Sequence, residues 1–342
     1  MWLWFLPIAI LIACERKPTP PNPKREVAKV EVPTRDCSSR GFEPAMVNNI
    51  CQLLDGEEVA SRCDFTSKQL ETIERLDTTY WEHEYSLITV PVKNLDWVAC
   101  FPNLEALSVQ SNTLVDIHGL ANATSLRSLQ LYANRITDVS ALANLTNLTD
   151  LGLASNQIVD IRPLAGLTKL TKLSLSNNPL RDVRPLRGLV NLVELELENT
   201  QLDNGDVAVL PGLRKLRELR VDNNAISDAR FLGGLTELRS LILRDNKIVD
   251  ISAVAGLPNL ETLYIGGNGI SDLRPLAKLP RLKQLHAERN RISDLAPLDN
   301  LPIDVVGLQG NCVDLRDARV KRFKDQQWRI APQRPICNQG VQ

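Results

Sequence analysis

An asparagine returns every 22 residues through most of this chain, and this period restricts the possible folds more than any other feature. A fixed period of this length indicates one small structural unit that is stacked repeatedly into a solenoid. The period predicts function only as a class, because a solenoid is a scaffold for a binding surface. The asparagine stands in the same frame in nine units: Asn112, Asn134, Asn156, Asn178, Asn224, Asn246, Asn268, Asn290 and Asn311.

The repeated unit reads LxxLxLxxNxIxDIxxLxxLxx, and ten copies fit between residues 104 and 311. Its first three leucines predict a short strand whose apolar side chains face inward. The asparagine amide both donates and accepts hydrogen bonds, so it can satisfy backbone groups between neighbouring units. We expect the aspartate that follows to cap a short helical turn on the opposite side. These aspartates are Asp116, Asp138, Asp160, Asp182, Asp228, Asp250, Asp272 and Asp294.

One unit departs from the pattern. Thr200 replaces the asparagine, and the next interval is 24 residues rather than 22. The additional residues fall within the segment 202–206. We therefore expect an outward bulge or a local change of curvature there.

The repeated pattern resembles the leucine-rich repeat, in the 22-residue form of the internalin family of bacterial surface proteins. The resemblance covers residues 104–311. It implies an α/β solenoid, in which a curved array carries a parallel sheet on its concave face and short 3₁₀ or α turns on its convex face. It also implies that the concave face binds protein.

The chain begins with an uncharged apolar run that ends at Cys14. The run is too short for a transmembrane helix, which needs about 20 residues, and it is typical of a secretion signal. Leu11-Ile12-Ala13-Cys14 resembles the lipobox of bacterial lipoproteins. We therefore predict a signal peptide over residues 1–13 and lipidation of Cys14, which would anchor the chain to a membrane. A plain cleaved signal and an uncleaved segment are the alternatives.

The remaining residues divide into a linker, two caps and the repeats. Proline and mixed charge over residues 14–36 predict an extended tether behind the lipid. Residues 37–103 form the predicted N-terminal cap, with helical spacing over 42–54 and 67–76 and a strand pattern over 85–92. The repeats occupy residues 104–311. Residues 312–342 form a C-terminal cap with an amphipathic helix that covers the last strand edge.

Six cysteines lie outside the predicted signal, and all of them fall in the caps. An even number of cysteines favours disulfides in an oxidising compartment. At the C-terminal end we expect Cys312 to pair with Cys337. The N-terminal set leaves three possible pairings open among Cys37, Cys51, Cys63 and Cys100.

Neither the composition nor the motifs favour catalysis. The net charge of −1 argues against a nucleic-acid partner, which would favour a basic excess. The three histidines do not form an HExxH motif, and no GxSxG motif, CxxC motif or phosphate-binding glycine loop is present. We therefore expect no catalytic residues, metal, cofactor or small-molecule substrate.

The solvent-facing strand positions change character along the array. In the second half, Ile242, Tyr264 and His286 should form a contiguous apolar and aromatic strip. Stacking the units also places Glu196 beside Arg220, Asp222 beside Arg244, and Lys172 beside Glu194. Aromatic and arginine anchors within a charged rim are typical of a protein interface. The predicted site consists of Glu196, Glu198, Arg220, Asp222, Ile242, Arg244, Tyr264, His286 and Glu288. The alternative is that cross-strand ion pairs merely keep a polar sheet soluble.

The sequence thus predicts a non-catalytic protein-binding module, held on a bacterial envelope by an N-terminal lipid. One alternative is an envelope structural or glycan-binding protein. Trp97 and Trp328 lie in the caps, which counts against sugar stacking on the concave face. Another alternative, a secreted effector, requires that Cys14 is not lipidated.

Overall fold

In the part of the chain that the structure describes, eleven short strands form one open parallel sheet in the order of the sequence. The computed structural model describes residues 70, 73–77, 92 and 94–323. Equivalent leucines stand opposite one another on neighbouring strands, as Leu107 does with Leu129. The strands are β1 (Arg75–Asp77), β2 (Ala106–Ser108), β3 (Ser128–Gln130), β4 (Asp150–Gly152), β5 (Lys172–Ser174), β6 (Glu194–Glu196), β7 (Glu218–Arg220), β8 (Ser240–Ile242), β9 (Thr262–Tyr264), β10 (Gln284–His286) and β11 (Val305–Gly307). The predicted solenoid with a single parallel sheet is confirmed.

Short 3₁₀ helices connect the strands, as the turn chemistry of the repeat predicts. The carboxylate of Asp160 accepts the backbone N–H of Arg162, the first residue of such a helix, at 2.9 Å. The same bond forms at all eight repeat aspartates and satisfies an N–H that the helix leaves unpaired. The 3₁₀ helices are Asp96–Cys100, His118–Leu120, Ser140–Leu142, Arg162–Gly166, Arg184–Gly188, Leu210–Gly212, Ala229–Leu232, Ser252–Gly256, Arg274–Lys278 and Ala296–Leu298.

The leucines of the repeat form one continuous core between the sheet and the 3₁₀ helices. Leu126, Leu129 and Leu131 of one unit are each 0% exposed, and the equivalent residues of the other units are similarly buried. The core runs from Leu70 to Val320. Complete burial of such a side chain contributes about 1.5–3 kcal/mol. Aliphatic side chains therefore hold the array together with little help from aromatic ones.

The repeat asparagines join each unit to the unit before it. The side-chain oxygen of Asn134 accepts the backbone N–H of Leu114 at 3.1 Å. Its amide nitrogen donates to the carbonyls of Val109 and Leu131, at 2.8 and 3.0 Å. Leu114 and Val109 belong to the preceding unit, so a single side chain satisfies buried backbone groups on both sides of the junction. The prediction that the asparagine serves the turn backbone is confirmed.

The irregular unit forms an additional helical turn. Asn204–Val207 is an α-helix whose preceding residue, Asp203, forms a capping box with Asp206. Thr200 donates its hydroxyl to the Leu197 carbonyl at 2.7 Å, within its own unit. Asn224 then reaches back across the longer interval and donates to the same carbonyl at 2.8 Å. The asparagine network therefore continues past the insertion.

The N-terminal cap differs from its prediction at one described segment. The helix predicted over 67–76 is wrong at its end, because Arg75–Asp77 is strand β1 and pairs with β2. Leu70, Ile73 and Leu76 are all buried, and their spacing suits a helix followed by a strand as well as one long helix. The sheet therefore begins within residues 37–103. The predicted helix over 42–54 lies outside the described residues, as do residues 85–91 of the predicted strand.

The cysteine and membrane predictions fall mostly outside the described residues. Cys100 and Cys312 are the two cysteines among the described residues. Cys37, Cys51, Cys63 and Cys337 are not among the described residues, so the pairings stay predictions. Cys14 also lies outside this range. Within the described part of the chain, no helix is long and apolar enough to cross a bilayer. The helix Ala318–Phe323 lies in the predicted C-terminal cap.

Removing one repeat asparagine should destabilise the array strongly. Asn178 is 1% exposed, and Asn178→Ala would leave the N–H of Ile158 and the carbonyl of Leu153 without their side-chain partner. We expect the free energy of unfolding to fall by about 2–4 kcal/mol. Urea unfolding followed by circular dichroism measures this change. Asn144→Ala is the control, because Asn144 is exposed, and it should lie within about 0.5 kcal/mol of wild type.

Candidate protein-binding site on the sheet face

The sheet face is the solvent-facing side of the sheet. It consists of the first and last residue of each strand and of the residue two places after the last one. In β9, for example, Thr262 and Tyr264 face outward while Leu263 is buried. The register aligns five predicted site residues in one row on β6 to β10: Glu196, Arg220, Ile242, Tyr264 and His286. The predicted strip is therefore contiguous.

An aromatic stack lies at the centre of this row. The rings of Tyr264 and His286 are parallel within 4°, with centroids 4.3 Å apart. The guanidinium carbon of Arg244 lies 4.3 Å from the centroid of the same tyrosine ring. Stacking and cation–π contacts of this kind each contribute about 0.5–1.5 kcal/mol. Tyr264 is thus held between two neighbours, so little side-chain entropy remains to be lost on binding a partner.

Glu288 supports the stack from a position two residues after His286. Its carboxylate lies 3.2 Å from Nδ1 of His286. Burial acts to raise the pKa of Glu288, but the hydrogen bond with His286 and backbone hydrogen bonding outweigh it and lower the pKa. Gly266 and Gly307 flank the carboxylate, and a Cβ at Gly266 would lie only 3.0 Å from its Oε2 atom. The two glycines therefore leave room for this side chain to lie along the sheet.

Two of the predicted cross-strand pairs differ from expectation. Lys172 and Glu194 form the predicted ion pair at 2.7 Å. Arg220, however, contacts Glu198 at 3.6 Å, although Glu196 is its register partner. Glu196 instead accepts a hydrogen bond from the Ser174 hydroxyl at 2.8 Å.

Asp222 is the other residue whose environment differs from the prediction. Arg244 was expected beside it, but that guanidinium lies over Tyr264 instead. Asp222 is only 7% exposed, and its Oδ1 atom has no hydrogen-bond partner among the described residues. Burial, with a further contribution from Glu198, raises the pKa of this carboxyl to about 6. Arg220 and Arg244 oppose the shift without cancelling it.

The sequence analysis missed one pair at the border of the sheet face. Arg289 donates to Asp245 at 2.7 Å, although the two residues are 44 positions apart. Gly267 lies between them at φ +70°, and a Cβ there would collide with the Asp245 carboxylate and lie 3.2 Å from Arg289 Nη2. All three residues directly precede a repeat asparagine. The signal was Gly267, because Gly310 is the only other glycine in the column that directly precedes the repeat asparagines.

The first half of the sheet face offers fewer anchors. Tyr132 is 41% exposed, and Gln130 donates to Asp150 at 2.9 Å. Desolvation raises the pKa of Asp150 despite this hydrogen bond. Among the described residues, no group of three or more histidine, cysteine, aspartate and glutamate side chains is arranged to hold a metal ion.

Comparison with known proteins places this geometry in a family. One family model of the leucine-rich repeat matches residues 124–166, 168–212 and 258–300, and a second such model matches 214–270. An internalin, inlF of Listeria monocytogenes, is 31% identical with a TM-score of 0.61, and the alignment covers 79% of this chain and 82% of inlF. The chain belongs to the internalin-like leucine-rich-repeat family.

Two further structures extend the comparison of this leucine-rich-repeat protein. Internalin C2 of the same bacterium is 30% identical, with a TM-score of 0.50 and coverage of 78% of this chain and 92% of the other. The ectodomain of the Arabidopsis receptor kinase HAESA, solved with a peptide hormone, is 25% identical. That alignment covers 62% of this chain and 38% of the receptor, with a TM-score of 0.54. No curated protein matches the sequence.

The raised pKa of Asp222 predicts a stability that depends on pH. Its folded pKa of about 6 lies above the ordinary value of 3.8, so folding penalises the charged form. Stability should therefore fall as pH rises from about 4 to 6 and stay lower above that range. Asp222→Asn should raise the free energy of unfolding at pH 7.5 by about 1–2 kcal/mol, after discounting the shift for solvent screening, and change little at pH 4.

Urea unfolding at the two pH values measures this difference. Asp182→Asn is the matched control in this leucine-rich-repeat protein. The hydrogen bonds from the Arg184 side chain and backbone lower the pKa of Asp182, so its substitution should not stabilise the protein at pH 7.5. Equal unfolding midpoints for wild type and Asp222→Asn at both pH values would contradict the prediction.

Proposed function

We propose that this protein is a non-catalytic binding module whose partner is a protein that docks on the sheet face of strands β6 to β10. The observation that carries the proposal is the side chain of Tyr264, held between Arg244 and His286. Interface hot spots are enriched in tyrosine and arginine and lie in ordered surroundings. A tyrosine fixed before binding loses little entropy when a partner covers it.

The surroundings of the tyrosine support the same function. Ile242 lies on the strand beside Tyr264 and adds apolar area, while Glu288 and Arg220 supply charge at the edge. An apolar centre with a charged rim is the usual composition of a protein interface. The structurally similar HAESA ectodomain was solved with a peptide hormone, so at least one protein of this fold binds a peptide ligand.

Display on a bacterial envelope is the second part of the proposal. It rests on the apolar segment that ends at Cys14 and on the proline-rich residues that follow it. A lipid at Cys14 would hold the solenoid near a membrane, and the linker would give the sheet face freedom to meet its partner.

A loss of affinity should follow removal of the tyrosine. A photocrosslinking amino acid at Ile242 first identifies the partner in cells, with the exposed Val249 outside the sheet face as the negative position. The affinity of the purified partner is then measured by calorimetry. Tyr264→Ala should raise Kd at least about tenfold, since a hot-spot side chain contributes about 2 kcal/mol or more. Tyr132→Ala is the matched control and should leave Kd within about twofold of wild type.

The proposal fails if the two tyrosine variants bind the purified partner equally well. It also fails if the crosslinker at Val249 captures the partner as efficiently as the crosslinker at Ile242. Either result would place the binding surface elsewhere on the solenoid.

The lipid anchor is tested by intact mass. Protein isolated from its native membrane should lack residues 1–13 and carry the additional mass of acyl groups. Cys14→Ser should remove those groups and release the protein from the membrane. An unacylated, soluble wild-type protein would contradict lipid anchoring and favour a secreted effector.

A further inference from the structure

The sheet face carries an acidic patch beside the aromatic stack. The patch consists of Glu194, Glu196, Glu198, Glu218 and Asp222, on β6, β7 and the residues that follow each strand. Two cations lie against it. Lys172 binds Glu194 at 2.7 Å, and Arg220 contacts Glu198 at 3.6 Å. No described cation forms an ion pair with the other three carboxylates, so the patch is negative overall.

The unpaired oxygen of Asp222 is a separate observation. Acidic side chains on an open sheet are ordinarily solvated, but Asp222 is 7% exposed and its buried Oδ1 atom has no hydrogen-bond donor among the described residues. A buried polar atom without a partner costs about 1–3 kcal/mol, and folded proteins contain few of them. An asparagine or a serine at this position would avoid the charge. The carboxylate therefore lacks a hydrogen bond that a donor from a binding partner would supply.

The groups around Asp222 determine the charge of that donor. Glu198 faces it from the preceding unit, Arg220 lies two residues before it in its own unit, and Arg244 faces it from the following unit. Arg244 lies against Tyr264, while Arg220 is 41% exposed and makes one long contact with Glu198. Neither guanidinium forms an ion pair with Asp222 within the described part of the chain. The five carboxylates of the patch outnumber Lys172, Arg220 and Arg244, so the electrostatic field favours a positive group.

We propose that the partner segment recognised by the sheet face is basic, and that one of its lysine or arginine side chains donates to Asp222 within the acidic patch. This inference rests on the proposed function, because it assigns a partner chemistry to the same face. Tyr264 and its neighbours supply the apolar anchor, and the acidic patch beside them selects the charge. A partner that donates a hydrogen bond to Asp222 binds more tightly, because it removes the cost of leaving that carboxylate unpaired.

The proposal predicts that binding depends on pH. Burial raises the pKa of Asp222 to about 6 in the free protein, and protonation removes the charge that the basic side chain meets. Affinity should therefore be greatest above pH 6 and fall on acidification, by at most about tenfold per pH unit for one linked proton. By the same linkage, a bound basic segment should lower the pKa of Asp222.

Peptide selection on the full chain tests the proposal without a known partner. A phage library of random 12-residue peptides is selected at pH 7.5 on immobilised wild type, Asp222→Asn and Tyr264→Ala. Asparagine retains the shape of aspartate, and unfolding measurements confirm that each variant is folded. We expect the wild type to enrich peptides rich in lysine and arginine. Their affinity should fall about tenfold or more on Asp222→Asn and again between pH 7.5 and 5.

The three proteins separate the two proposals. Enriched peptides that lack basic residues, or that bind wild type and Asp222→Asn equally, would overturn the basic-partner inference. If those peptides still need Tyr264, the sheet face remains the binding site and only the partner chemistry is wrong. If binding is indifferent to both substitutions, the proposed function fails as well. Basic peptides whose affinity does not change between pH 7.5 and 5 would also overturn the role of Asp222.

Discussion

The asparagine at the junction of two units is the interaction on which the rest of this structure depends. Its oxygen accepts an N–H of the preceding unit, and its nitrogen donates to carbonyls of both units, as Asn134 does with Leu114, Val109 and Leu131. These backbone groups are buried, so they have no water to replace the amide. The bonds fix how far each unit advances relative to the last. That spacing in turn sets the strand register, and the register decides which side chains stand beside one another on the sheet face.

Much of this architecture follows from the sequence because the period encodes it directly. The buried leucines, the capping aspartates and the row through Ile242, Tyr264 and His286 all depend on position within the unit. The helical pattern that ends at Leu76 was less informative, since three residues of a strand can share its apolar spacing.

Side-chain partners within the site were harder to predict, because they depend on rotamers and burial rather than on register. Arg244 packs on Tyr264 rather than pairing with Asp222. Arg220 contacts Glu198 diagonally, although Glu196 lies directly across from it. A flexible arginine side chain can reach several acceptors at similar distances. The strength of each contact depends on how exposed that contact is to water. Burial of Asp222 thus has two effects. It lowers the stability of the protein above pH 6, and it leaves a carboxylate oxygen to which a partner can donate.

The contact of Arg289 with Asp245 also bears on how such an array can evolve. The bonds of the asparagines join adjacent units only, so a duplication or deletion of one whole unit by recombination preserves them. Arg289 instead reaches past Gly267 to a carboxylate two units away. Loss of the unit around Gly267 would bring the two residues onto neighbouring coils, and insertion there would separate them. The three units from Asp245 to Arg289 are therefore expected to be inherited as a block, while units outside it are freer to change in number.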